Sequence, residues 1–87
     1  MIKRAMTVAL PNGLEARPVA ELVQIASRYD SSIYIEADSK RVNAKSIMGM
    51  MTLDLGSGEA ITVSADGQDE EEAMQGVEDF LHNRTSK

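Results

Sequence analysis

The residues best placed to do chemistry lie in the segment 46–53, which reads SIMGMMTL. At helical spacing Met50 and Leu53 share one side of this segment. Three further apolar residues, hereafter the apolar patch, share another side: Ile47, Met48 and Met51. A short helix on a small domain cannot bury both sides, so the pattern predicts an exposed patch of the kind that accommodates protein partners. The alternative is that the whole helix is core and that Gly49 permits its close packing.

Ser46 precedes this helix at the N-cap position. A hydroxyl at an N-cap normally accepts a backbone N–H and does nothing else. A phosphate there would meet free backbone N–H groups, the positive end of the helix dipole and the neighbouring Lys45. It would also add about −1.5 to −2 charges beside the apolar patch. The sequence therefore predicts that Ser46 is either a helix cap alone or a phosphorylation switch.

The other titratable residues do not form a catalytic set. Glu15 and Arg17 fall at the predicted start of the first helix, where a carboxylate gains about 0.3–1 kcal/mol from the dipole and an arginine is simply solvated. The single histidine, His82, falls in the predicted last helical turn, and no serine and base can be grouped around it. The absence of cysteine excludes a thiol nucleophile and cysteine-ligated zinc. We therefore predict no enzyme activity, no metal and no cofactor.

The net charge of −5 narrows the classes of partner. The excess is C-terminal, since residues 66–87 hold seven acidic side chains against Arg84 and Lys87. An acidic protein lacks the basic face that neutralises nucleic-acid phosphates, so no direct nucleic-acid binding is expected. No apolar run approaches the roughly 18 residues needed to cross a membrane, and the N-terminus does not resemble a signal peptide. A cytoplasmic protein without membrane insertion is expected.

The 87 residues predict one domain, 1–87, built from short elements joined by turns. The expected elements are a strand over Met6–Leu10, a helix over Glu15–Arg28, a hairpin of Ile33–Ile35 with Val42–Ala44, a helix from Ile47 to about Leu53, a strand over Ile61–Ala65, and a final helix. Asp69 and Glu72 form a capping-box analogue at the start of that final helix. The order predicts an α+β fold with a four-stranded antiparallel sheet and three helices on one face.

Two segments resemble the signatures of one family. Residues 12–18, NGLEARP, resemble the active-site loop G-[IL]-H-A-R-P of the phosphocarrier protein HPr of the bacterial phosphoenolpyruvate:sugar phosphotransferase system. Residues 45–51, KSIMGMM, resemble the regulatory-serine segment K-S-I-M-G of the same family. The chain is identified as a member of the HPr family. This resemblance implies the open-faced β-sandwich of order βαββαβα along nearly the whole chain.

One position departs from the phosphocarrier pattern. Glu15 occupies the place of the histidine that accepts a phosphoryl group from enzyme I and passes it to sugar permease components. A carboxylate is less basic than an imidazole, so carrier activity is not expected. The resemblance is closest to the catabolite-repression paralogues called Crh, which keep the regulatory serine and usually carry glutamine here. Both a natural and an engineered replacement of the histidine are compatible with the sequence.

Carried over position by position, the resemblance implies a switch at Ser46. This serine would be phosphorylated by the ATP-dependent HPr kinase/phosphorylase, and Arg17 with the apolar patch would form the partner surface. The phosphorylated protein would act as a corepressor of a catabolite-control transcription factor and so link carbon catabolite repression to sugar status. Two alternatives stay open: a phosphocarrier with Glu15 as an unusual acceptor or with its histidine removed, and a domain of the same topology that holds a metabolite through Arg17 and Lys45.

Overall fold

The computed structural model describes residues 1–11, 16–53 and 55–82. The elements are β1 (Ile2–Thr7), α1 (Ala16–Ala26), β2 (Ser32–Ala37), β3 (Lys40–Asn43), α2 (Ile47–Met51), β4 (Ala60–Asp66) and α3 (Glu70–Leu81). Their order, βαββαβα, is the predicted one. The residue at which the first helix was expected to begin, Glu15, lies outside the described residues, and α1 ends at Ala26 instead of Arg28.

The sheet is antiparallel throughout, with the strand order β1-β4-β2-β3. The last strand in the chain, β4, therefore lies between β1 and β2. The predicted hairpin of β2 and β3 is confirmed, and its turn passes through Asp38 in the left-handed region at φ 57°. Aspartate is one of the few residues other than glycine that adopt this conformation readily, which explains why the turn forms without an Asn-Gly pair.

The core lies between the helices and one face of the sheet. The strands bury alternate residues, among them Ile33, Ile35 and Val63, and α3 packs on β1 and β4 while α1 packs on α3 and α2. On the opposite face the side chains are more exposed, and there the Arg41 guanidinium lies 4.0 Å from the centre of the Tyr34 ring. The arrangement is the predicted four-stranded sheet with helices on one face.

The first strand lies earlier in the chain than predicted, because β1 runs over Ile2–Thr7 and not over Met6–Leu10. Val8 and Leu10 are nevertheless buried, as their alternation indicated. Val8 pairs instead with the turn before β4: its N–H donates to the Glu59 carbonyl at 2.9 Å, and its carbonyl accepts from the Gly58 N–H at 2.7 Å. The apolar pattern thus identified the buried side chains correctly and placed the end of the strand three residues too late.

The capping box predicted at Asp69 and Glu72 is wrong. Asp69 is the N-cap residue of α3, but its carboxylate makes no capping hydrogen bond within the helix. It accepts instead from the backbone N–H groups of Asp30 and Ser31, both at 2.9 Å, and from the Ser31 hydroxyl. Ser31 is fully buried, so its donors require a partner inside the protein. Asp69 therefore fastens the α1–β2 connection to the start of α3.

This contact makes stability depend on pH. The Ser31 hydroxyl, followed by the Asp30 N–H, lowers the pKa of the Asp69 carboxyl below its ordinary value of 3.8. A lowered pKa stabilises the fold at pH values above 3.8, and the contribution is lost as the pH falls through the folded-state pKa. We expect the stability difference between the parent and Asp69→Asn to be widest at neutral pH and to narrow below about pH 4.

Urea titrations of both proteins across this range would check the expectation. Ser31→Ala removes the largest cause of the lowered Asp69 pKa. In a Ser31→Ala background, the loss of stability that Asp69→Asn causes at neutral pH should therefore be smaller than in the parent. A difference that stays constant from pH 7 to pH 3 would contradict the assignment.

Gly67 is required by the same junction. A Cβ added there would lie 2.5 Å from Ser31 Oγ and 2.7 Å from Ser31 Cα, and the backbone atom cannot rotate away. We expect Gly67→Ala to lower the free energy of unfolding by about 1–3 kcal/mol. In a domain of this size each kcal/mol lowers the Tm by roughly 4–8 °C. The matched control is Gly56→Ala, whose Cβ would meet no described atom within 4 Å. Thermal unfolding measures both, and equal Tm values for the two variants would contradict the packing argument.

Candidate functional site

Ser46 is the N-cap residue of α2, as predicted. Its backbone is extended (φ −109°, ψ 113°), and its Oγ accepts a hydrogen bond from the Gly49 N–H at 3.1 Å. Its N–H donates to the Asn43 carbonyl at 3.0 Å, and its carbonyl accepts from the Met50 N–H at 2.9 Å. The hydroxyl is thereby held at a fixed position at the start of the helix.

Contacts with neighbouring segments hold this five-residue helix, which is too short to be stable alone. Asn43 accepts from the Lys45 N–H at 2.8 Å, and the Lys40 ammonium donates to the Thr52 carbonyl at 3.2 Å. The Thr52 hydroxyl donates to the Gly49 carbonyl. The sequence interpretation did not assign these positioning roles. For Asn43 a signal was present, because asparagine side chains commonly accept from the N–H two residues later.

The two sides of α2 differ as predicted. Met50 and Leu53 are buried, whereas the apolar patch is open: Ile47 is 51% exposed, Met48 82% and Met51 53%. The alternative in which the whole helix is core is therefore wrong. Contiguous exposed apolar side chains are uncommon on a small soluble domain and are typical of a docking surface. The structure thus brings Ser46 and the apolar patch together on one short helix.

The two cations predicted to act with Ser46 or its partner surface, Lys45 and Arg17, lie in different segments. The Lys45 ammonium donates to the Tyr29 carbonyl at 2.7 Å and so joins the end of α1 to the start of α2. Arg17 is exposed in the first turn of α1, the helix that packs against α2. In the unmodified protein the Lys45 ammonium thus has a backbone partner, and Arg17 lies in a different segment.

Of the two remaining predicted residues, Glu15 and His82, the structure describes only one. Glu15 lies outside the described residues. His82 ends α3, with its Nδ1 3.7 Å from a Glu78 carboxylate oxygen. The Leu81 carbonyl accepts from the Ala9 N–H at 2.8 Å, which places this helix end beside the segment that follows β1.

Within 1–11, 16–53 and 55–82 no group of three or more histidine or acidic side chains could hold a metal ion. No helix among these residues is long and apolar enough to cross a membrane.

A family model described as the PTS HPr component phosphorylation site matches residues 2–83. The HPr-like protein Crh of Halalkalibacterium halodurans is 51% identical over 81 residues, which cover 93% of this chain and 96% of that protein. The HPr-like protein Crh of Bacillus subtilis is 47% identical over 75 residues, covering 86% of this chain and 88% of the relative.

The solved structures agree with the fold. The crystal structure of HPr-C-His from Thermoanaerobacter tengcongensis superposes with a TM-score of 0.91 at 43% identity, covering 97% of this chain and 94% of that one. The four-stranded sheet with three helices is thus the open-faced β-sandwich of small HPr-like proteins. The chain belongs to the HPr family, and within it is similar to Crh.

Proposed function

We propose that this protein is a regulatory binding module switched by phosphorylation of Ser46. The HPr kinase/phosphorylase adds the phosphoryl group from ATP, and the phosphorylated protein is the corepressor partner of a catabolite-control transcription factor. The observation that carries the proposal is the open apolar patch on the helix that Ser46 caps. Similarity to the Crh proteins supports it.

The patch and the serine have separate tasks in this proposal. Phosphoryl transfer forms a bond between Ser46 Oγ and the γ-phosphorus of ATP, breaks the bond to ADP and releases the hydroxyl proton. Catalysis of such a transfer depends mainly on positioning, which a docked substrate provides. Ile47, Met48 and Met51 supply the apolar contact for docking, and Arg17 supplies a polar contact at its margin. The protein itself performs no catalysis.

The proposal also includes the absence of phosphohistidine carrier activity, because Glu15 replaces the family's histidine. The protein works as a single domain, 1–87, in the cytoplasm, without a cofactor and without direct contact with nucleic acid. A second candidate is a phosphocarrier of the sugar phosphotransferase system, with enzyme I and permease components as partners. It is favoured by the family model, whose description names a phosphorylation site and whose match extends across position 15.

Incubation with HPr kinase and ATP tests the first candidate. We expect mass spectrometry to find phosphate on Ser46 alone among the eight serines. Met48→Asp should lower kcat/KM at least about tenfold, since it places a charge in the apolar contact, whereas Met48→Leu keeps that contact and should change it little. Ser57→Ala, in the turn before β4, is the matched control for Ser46→Ala. Undiminished phosphorylation of Ser46→Ala would contradict the assignment.

A further inference from the structure

The six methionines of the chain divide sharply by exposure. Three are in the core: Met6 at 6% exposure, Met50 at 0% and Met74 at 0%. Three are open to solvent: Met1 at 61%, Met48 at 82% and Met51 at 53%. Two of the three open methionines are thus members of the apolar patch, and the third is Met1, whose terminal ammonium pairs with the carboxylates of Asp66 and Glu70.

We propose that Met48 and Met51 are oxidation sites through which a peroxide inactivates the docking surface. Hydrogen peroxide transfers one oxygen atom to the thioether sulfur. The O–O bond breaks, an S–O bond forms, sulfur loses two electrons and water leaves. A sulfoxide reductase reverses the step with two electrons from thiols. The oxidant must reach sulfur, so exposure determines which methionines react.

Oxidation changes the character of the patch more than its shape. Methionine is apolar and flexible, whereas its sulfoxide carries a strongly polar S–O group that water hydrates. Docking against an apolar partner surface would bury that group without a hydrogen bond. From the cost of burying an unpartnered polar group, we expect each sulfoxide to weaken docking roughly five- to a hundredfold. Ile47, the third member of the patch, cannot be oxidised in this way and keeps only part of the contact.

The fold is protected from the same reaction. Met50, the neighbour of the patch on the opposite side of α2, is fully buried, and Met74 is fully buried in α3. Oxidation of a core methionine would place a polar group in the interior and unfold the domain, but oxidation of Met48 and Met51 adds polarity only at the surface. The same oxidant dose should therefore weaken docking by that factor while the Tm stays within a few degrees of its starting value.

The inference rests on the proposed function, since it assumes that the apolar patch docks the kinase. The test treats the intact protein with dilute hydrogen peroxide and follows each methionine by peptide mass spectrometry. Met48, Met51 and Met1 should oxidise well before Met6, Met50 and Met74. The phosphorylation rate with HPr kinase should fall in step with oxidation of Met48 and Met51, and a sulfoxide reductase should restore it.

The double variant Met48→Leu/Met51→Leu is the matched control. It lacks the two oxidisable thioethers of the apolar patch and keeps the exposed Met1, so peroxide treatment should leave its phosphorylation rate at its own untreated value, whatever that value is. Oxidation of Met50 as fast as Met48, or undiminished phosphorylation of the oxidised parent, would overturn the inference alone. Absence of phosphorylation in the untreated parent would instead overturn the proposed function and the docking part of the inference with it.

Discussion

Labelled phosphoenolpyruvate with limiting enzyme I should leave this protein unlabelled, and Glu15→His should convert it into an acceptor. The parent presents a carboxylate where the family presents an imidazole nitrogen, and an acyl phosphate on a weakly basic carboxylate is a poor product of such a transfer. The substitution supplies the missing nucleophile next to the unchanged Arg17-Pro18 pair. The expected change is from background to stoichiometric incorporation, measured as acid-labile label on residue 15.

Two further variants make this experiment decisive. Glu15→Gln, which matches the residue usual in Crh proteins, should remain unlabelled like the parent. The His82→Ala change excludes label on the other histidine of the Glu15→His variant. His82 lies at the end of α3, and this helix end lies beside the segment that follows β1, through the hydrogen bond from the Ala9 N–H to the Leu81 carbonyl. Label on Glu15→His should survive the added His82→Ala change. Stable, stoichiometric labelling of the parent would favour the phosphocarrier function instead.

Much of the site could be predicted because its determinants are local. The two sides of α2 follow from helical periodicity, which places Met50 and Met48 on opposite sides of the helix. The Ser46 cap follows from the residue type at a helix start. The strand order, with β4 between β1 and β2, is not local, but an antiparallel four-stranded sheet was the arrangement expected for this succession of elements.

Two local expectations did not foresee partners that are distant in the sequence. Asp69 was expected to cap its own helix, yet buried donors from residues 30 and 31 bind its carboxylate. Lys45 was expected to meet a phosphate on Ser46, and in the unmodified protein its ammonium binds the Tyr29 carbonyl, 16 residues earlier in the chain. In both cases the charged side chain binds backbone groups that only the tertiary fold brings near. Such partners leave no periodic signal in the sequence.

Phosphorylation of Ser46 should raise the affinity for a catabolite-control transcription factor about ten- to a hundredfold. The apolar patch is exposed in the unmodified protein, and its burial provides affinity that does not depend on phosphate, at about 25 cal/mol per Å² less the cost of ordering. The phosphate adds charge-assisted hydrogen bonds to a basic group of the partner, worth roughly 1.5–3 kcal/mol. The second contribution alone supplies the contrast between the two states.

Binding measured for both forms of the protein at low salt would separate the two contributions. Met48→Asp should weaken both forms by a similar factor, because it acts on the apolar contact, whereas Met48→Leu should weaken neither. Raising the salt concentration should reduce the advantage of the phosphorylated form and leave the apolar contribution largely intact. If the two forms bind equally at low salt, the switch hypothesis is wrong, however tight the binding.

Arg17 tests whether the surface extends beyond α2. It is exposed in the first turn of α1, a helix that packs against α2, and the proposed partner surface includes its guanidinium. Arg17→Ala should weaken the complex of the phosphorylated protein with the transcription factor severalfold, without changing the site of phosphorylation or the Tm.

Glu15→Gln shows what the neighbouring carboxylate does: tighter binding means that Glu15 competes for Arg17, and weaker binding means that it orients Arg17 toward the partner. A surface confined to α2 would leave both variants at the parent affinity.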